Sequence, residues 1–229
     1  MNNLFTDVFH NMPPDEAEAF YRTVFSNMDT PYAAEARRLY YASVLRAMGE
    51  NVTIGCGVKI VNPQHVSLGD HVSLDDHCTL YARSERGITL AAGVQLKYGV
   101  YLDTEGDEGY IEIGKKVYIG TGCCLHGHRG LEIGDDTLLA QNITITPYSH
   151  IFEDPERLII QQGGHSRKIT IGKDCYLGKN VCVLYCADVE DGAVVGSGSV
   201  VVHTIPAYSV AVGVPARVIR KRGEAKHIK

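Results

Sequence analysis

An aliphatic residue recurs every six positions through most of this chain, most often followed by glycine. From Ile171 the beat reads Ile171-Gly172, Leu177-Gly178, Val183, Val189, Val195-Gly196 and Val201. It also runs Leu68-Gly69, Leu74, Leu80; then Leu90, Leu96, Leu102; then Ile113-Gly114, Ile119-Gly120, Leu125; then Ile133-Gly134, Leu139, Ile145. Four residues after most of these comes a small or β-branched residue: Val72, Cys78, Val94, Val100, Val117, Cys123, Thr137, Ile143, Cys175, Val181, Ala187, Ala193 and Ser199. A helix would place apolar residues three and four apart, and a plain strand would alternate every two. A fixed period of six fits neither and predicts a solenoid of short strands and tight turns. Three hexads, roughly eighteen residues, close one triangular coil, and stacked coils bury a continuous core that one coil cannot bury alone. Glycine after the aliphatic suits a turn that needs a positive φ or a close backbone approach.

Composition narrows the function. The chain has 229 residues and a formal net charge of −5, so no global basic field draws it to nucleic acid. No run approaches the roughly 20 apolar residues of a membrane span. The first residues carry no basic and apolar signal pattern, which predicts a cytoplasmic protein. Seven cysteines, three of them on the small inward track, read as free thiols rather than a disulfide set.

Residues 1–50 lack the six-beat and read as a helical segment. Pro13-Pro14-Asp15 opens a helix to about Phe25, and Asp29-Thr30-Pro31 caps a second from Tyr32 to about Met48, with Gly49 as its stop. Ala34, Leu39, Val44 and Leu45 supply its apolar stripe, and the pair caps the open end of the first coil. The β-helix spans 51–214, with an acidic surface loop at Asp103–Tyr110 and a long interruption at 146–168. Long loops in regular solenoids are commonly functional. Residues 215–229 form a basic tail: Arg217, Arg220, Lys221, Arg222, Lys226 and Lys229.

Histidines are the chemically informative residues. His65, His71 and His77 are six apart, which sends their rings to three different sides of a triangular coil; a stacked ligand column needs a spacing near eighteen. His126-Gly127-His128-Arg129 ends a coil one turn before the long loop, with no third zinc ligand nearby. His150 lies inside the interruption, followed by Glu153, Asp154 and Glu156, which can orient an imidazole, and by Arg157, which can hold an anion.

From Ile133 to Arg222 the sequence resembles the hexapeptide-repeat acyltransferases, most closely the maltose and galactoside O-acetyltransferases and polysaccharide-biosynthesis acetyltransferases. The resemblance rests on Ile133-Gly134-Asp135, Gln141-Asn142, His150 and Asp154-Pro155-Glu156-Arg157. It continues through Val195-Gly196-Ser197-Gly198-Ser199, Ile205-Pro206 and Val212-Gly213-Val214-Pro215-Ala216-Arg217-Val218-Ile219-Arg220. It implies a left-handed parallel β-helix, a homotrimer with sites between neighbouring prisms, and acetyl-CoA as co-substrate without a metal. It further implies His150 as general base, with Glu153 or Asp154 setting its tautomer. Gly178, Lys179, Gly196, Ser197, Arg217 and Arg220 are then the coenzyme contacts, and His126, Asn142, Tyr148 and Arg157 the acceptor contacts. Tyr176 stands where the family has tryptophan, Val202-His203 replaces its usual Thr-Lys, and Cys123-Cys124-Leu125-His126 occupies the region of its sugar-positioning asparagine. The implied reaction is O-acetylation of a sugar or polysaccharide precursor. N-acetylation of an amino sugar is the near variant. A γ-carbonic-anhydrase-like zinc hydratase using His126, His128 and His150, and a non-catalytic β-helix, are the alternatives of different class.

Overall fold

The computed structural model describes residues 11–224. These form a left-handed parallel β-helix with, among the described residues, two helices at its N-terminal end. The first face of the prism carries Ala47–Met48, Val66–Leu68, Gly87–Leu90, Tyr110–Ile113, Leu131–Ile133 and Ile169–Ile171. The second runs from Thr53–Ile54 through Leu138–Leu139 and Tyr176–Leu177 to Ser209–Val212 and Arg217–Lys221. The third runs from Lys59–Val61 through Cys124–His126, Thr144–Ile145 and Cys182–Val183 to Val200–Val201. Every aliphatic of the six-beat is buried, and so is every residue of the small second track. The two polar members of that track are satisfied: Thr137 donates to Gly172 O and accepts from Cys175 N–H, and Ser199 accepts from Gly213 N–H. All seven cysteines are free.

The glycines that follow the aliphatics are required by close approach. A Cβ on Gly134 would sit 2.5 Å from the backbone nitrogen of Lys173 in the next coil. The positive φ falls two residues later, at Asn51, His71, Lys116, Asp136 and Asp174 on the corner between first and second faces. His77, Asn142 and Asn180 take it on the corner between second and third faces. Asparagine and aspartate tolerate this left-handed conformation best after glycine. His71 and His77 are therefore turn residues. The aspartate two residues after the first-face aliphatic ties one coil to the next: Asp70, Asp135 and Asp191 each accept a backbone N–H from the preceding coil, at 2.6–3.0 Å.

The coils are not uniform. Ile171 meets Val189 eighteen residues on, but Ser67 meets Thr89 and Glu112 meets Glu132. The extra residues sit at one corner, between third and first faces: 62–65, 82–86, 104–109, 127–130 and 146–168. Within 103–110 the acidic surface loop contracts, because Asp103 and Tyr110 are buried strand residues.

At the N-terminal end, α1 (Pro14–Val24) and α2 (Pro31–Val44) pack on the first coil. Thr30 caps α2 by accepting from Ala33 N–H at 3.2 Å. The buried stripe of α2 is Ala33, Ala36, Arg37, Tyr40 and Tyr41, not the Ala34-Leu39-Val44-Leu45 series; Ala34 is exposed and the other three only partly covered. Arg37, 3% exposed, explains the shift, since its guanidinium donates to the carbonyls of Phe25, Met28 and Ile54. The helix stops at Val44, short of Gly49, because Ala47–Met48 already pairs with the first face. At the other end, Arg217–Lys221 turns back antiparallel to Ser209–Val212, so the start of the basic tail is a sheet strand. Lys226 and Lys229 lie outside the described residues.

Candidate functional site

The interruption at 146–168 is a β-hairpin, Tyr148–His150 against Gly164–Ser166, rising from the corner between third and first faces. Its base is pinned to the solenoid. Arg167 pairs with Asp188 at 3.0 Å, Lys168 with Glu132 at 2.8 Å, and the His165 ring stacks over Tyr185. Its tip is exposed and partly apolar: Phe152 is 64% exposed and Ile160 82%.

His150 is exposed at the end of the first hairpin strand. Its ring meets Tyr148 edge-on, with centroids 5.0 Å apart and planes at 86°. The nearby acids are engaged within the hairpin: Asp154 accepts from Glu156 N–H and Glu153 from Phe152 N–H. Arg157 likewise donates to Gln161 O at 2.6 Å. Asp154 and Arg157 thus brace the turn, and neither is brought against His150.

Beneath the hairpin the same corner gathers a cluster from three successive coils. The Glu105 carboxylate lies 2.6 Å from His128 Nε2 and 3.4 Å from His126 Nδ1. The His128 ring stacks on Tyr148 at 4.8 Å and 16°. Below them Asp103, 1% exposed, holds Arg83 through both carboxylate oxygens and accepts from Tyr101 Oη at 2.8 Å. Burial is the main influence on His128 and pushes its imidazole below the ordinary histidine range, against the opposing pull of Glu105. Sequence reasoning weighs His128 as a zinc ligand or a surface histidine and does not single out Glu105. They lie in separate corner segments, and only the register that stacks those segments joins them.

Cys124 lies beside a base: its Sγ is 3.3 Å from His126 Nε2. Burial, and then the charges of Glu105 and Asp103, push its thiol upward. A thiol held protonated is a poor nucleophile, so this pair does not favour an acyl-cysteine. His126 and His128 have ring centroids 6.3 Å apart. Among the described residues no group of three histidine, cysteine, aspartate or glutamate side chains is arranged to hold a metal.

The other predicted residues occupy the opposite edge of the third face. Asn142, Gly178-Lys179 and Gly196-Ser197 stack in three successive coils on the corner between second and third faces. Asn142 is the left-handed residue of its turn, and the Gly178 Cα faces the Ser197 backbone so closely that a Cβ would be 2.6 Å from its nitrogen. Arg217 is exposed and opposes Val212 near this edge, whereas Arg220 opposes Val210 further back and donates to Lys221 O and Glu224 O. Two open clefts, of about 560 and 600 Å³, lie between α2 and the second face and along the first face; neither includes His150.

Comparison with known proteins fits this layout. The model of the hexapeptide repeat of succinyl-transferase matches residues 110–147 and 168–202, leaving out the hairpin. The chain is 30% identical over 148 residues to WbbJ of Escherichia coli (strain K12), a putative lipopolysaccharide biosynthesis O-acetyl transferase, covering 62% of this chain and 75% of that one. The chain belongs to the hexapeptide-repeat acyltransferase family. Another member, the galactoside O-acetyltransferase of the same organism, is 34% identical over 113 residues, 48% of this chain and 54% of that enzyme. The chain spans about half the length, or less, of the curated relatives it matches first. Among solved structures, a point mutant of AntD, an N-acyltransferase from Bacillus cereus in complex with dTDP and coenzyme A, shares the hexapeptide-repeat fold. Its TM-score is 0.57 at 22% identity, over 79% of this chain and 86% of that one. Among the described residues no helix is long and apolar enough to cross a membrane.

Proposed function

We propose that this chain is an acetyl-CoA-dependent O-acetyltransferase acting on a hydroxyl of a sugar or polysaccharide precursor, with His150 as general base. The observation that carries the reading is family membership through a relative named as an O-acetyl transferase, joined to an exposed histidine on the hairpin that interrupts the solenoid at 146–168. An alcohol is barely ionised at neutral pH. A neutral imidazole removes its proton as the oxygen attacks the thioester carbonyl. The tetrahedral oxyanion collapses, the C–S bond breaks, and the proton held by His150 passes to the departing thiolate. Backbone N–H groups of the coil turns are the available donors for the oxyanion. Direct transfer is favoured over an acyl-enzyme by the raised Cys124 thiol.

His150 and the proposed coenzyme contacts Gly178, Lys179, Gly196 and Ser197 occupy opposite edges of the third face. That arrangement suits a site closed between neighbouring prisms of a homotrimer, each lending one edge. Arg217 faces solvent near the coenzyme edge and is the stronger candidate of the two arginines for a coenzyme phosphate. A cytoplasmic setting goes with the use of acetyl-CoA.

The test is calorimetry with acetyl-CoA, followed by turnover with saccharide acceptors. His150→Ala is expected to lower kcat by about 10²–10⁴-fold with coenzyme affinity nearly unchanged. Undiminished turnover in that variant removes His150 from the mechanism. Failure of the wild-type protein to bind acetyl-CoA ends the transferase reading.

A further inference from the structure

We propose that His128, oriented by Glu105, is a positioning residue that fixes the Tyr148 ring and through it the imidazole of His150. The inference rests on the reading of His150 as general base. Three coils of one corner supply its parts: Glu105 from 104–109, His128 from 127–130 and Tyr148 from the hairpin.

His150 is the exposed end of a half-buried strand, and its neighbours Glu153 and Asp154 each accept a backbone N–H of the hairpin turn. The ring contact that constrains it is the perpendicular one with Tyr148. A perpendicular ring pair is the arrangement favoured by the aromatic quadrupoles, and it selects an orientation about the imidazole's last torsion. Tyr148 is in turn confined on two sides. His128 stacks over one face at 4.8 Å. On another side lies Gly164, where a Cβ would come within 2.1 Å of Tyr148 Oη. His128 itself takes its orientation from Glu105, 2.6 Å from Nε2, because its buried Nδ1 has no hydrogen-bond partner among the described residues. His126, Asp103 and Tyr101 line the remaining sides of this cluster. A general base acts only within hydrogen-bond reach and alignment of its proton, and a small misplacement is costly in rate. The stack thereby gives a defined direction to an imidazole that is paired with no carboxylate among the described residues.

The experiment reads the imidazole directly. Ring ¹⁵N shifts of His150, assigned by its loss in His150→Ala, are recorded for the wild type, His128→Ala, His128→Phe, Glu105→Gln and Gly164→Ala. His128→Ala and Gly164→Ala are expected to move or broaden the His150 signals, and His128→Phe, which restores a stacking ring, to return them. In turnover His128→Ala is expected to lose about tenfold to a hundredfold in kcat with little change in KM for acetyl-CoA. His128→Phe should recover most of that loss. Unchanged His150 signals in a folded His128→Ala overturn the proposal. If that variant does not fold, Gly164→Ala presses on Tyr148 from its hydroxyl end, and unchanged signals there overturn it equally. A wild-type protein that transfers no acetyl group defeats the proposed function while the ¹⁵N shifts still decide the positioning. Transfer that is lost in His150→Ala but indifferent to His128 defeats the positioning alone.

Discussion

Asn142 can be a turn residue, an acceptor contact, or both, and two substitutions separate these roles. Its φ of 57° is costly for alanine by about 1–2 kcal/mol and open to glycine. Asn142→Ala should therefore lower the melting temperature, while Asn142→Gly should leave it close to wild type. If the amide touches the acceptor, both lose turnover equally; if it serves only the turn, Asn142→Gly stays active. His128 carries a pH signature. Its imidazole is held below the ordinary range chiefly by burial, so the unfolded chain takes up its proton first as pH falls. The stabilisation is fully present above the ordinary histidine pKa and is lost as pH falls from there through the lowered folded value. Melting temperatures followed from about pH 7.5 to about 5.5 should fall less steeply in His128→Phe than in wild type. At this scale the sequence was informative about chemistry type but not about pairing. His150 stood out because it interrupts a repeat. Glu105 did not, since its partner lies in another coil and nothing local marks the two as neighbours.

Among elements, the coil turn is the unit most exposed to single substitutions. Gly134→Ala drives a methyl group to 2.5 Å from a backbone nitrogen of the next coil, which cannot swing away as a flexible side chain could. Overpacking of this kind costs about 1–3 kcal/mol, to be measured as a shift in the denaturant midpoint. The six-beat made the strands and both inward tracks legible residue by residue, because a hexad fixes which side chains point inward. It did not reveal the buried stripe of α2. That face is built on Arg37, Tyr40 and Tyr41; Arg37 and Tyr41 find carbonyl acceptors in the first coil and the segment after α1. A pattern of apolar residues alone passes over such a face. The hairpin was legible as an interruption but not as two paired strands, since the alternation over Tyr148–His150 is too short to read.

For the whole molecule, the proposed residues lie on two edges of the prism, as a site shared between copies would require. Light scattering on the full chain is expected to give three times the protomer mass, and a monomer that turns over would remove the shared-site reading. The intervals that break the beat, Leu80 to Leu90, Leu102 to Ile113, Leu125 to Ile133 and Ile145 to Ile171, were visible in the sequence from the start. Their common location was not, because it requires counting strands around a closed coil.

That shared corner has a consequence for how such a chain diversifies. Residues added at 62–65, 82–86, 104–109, 127–130 and 146–168 leave the buried tracks in step above and below them. Segments of very different length are thereby tolerated in adjacent layers without disturbing the interior. Selection can then rewrite the margin of the prism, one layer at a time, while its cross-section is inherited unchanged.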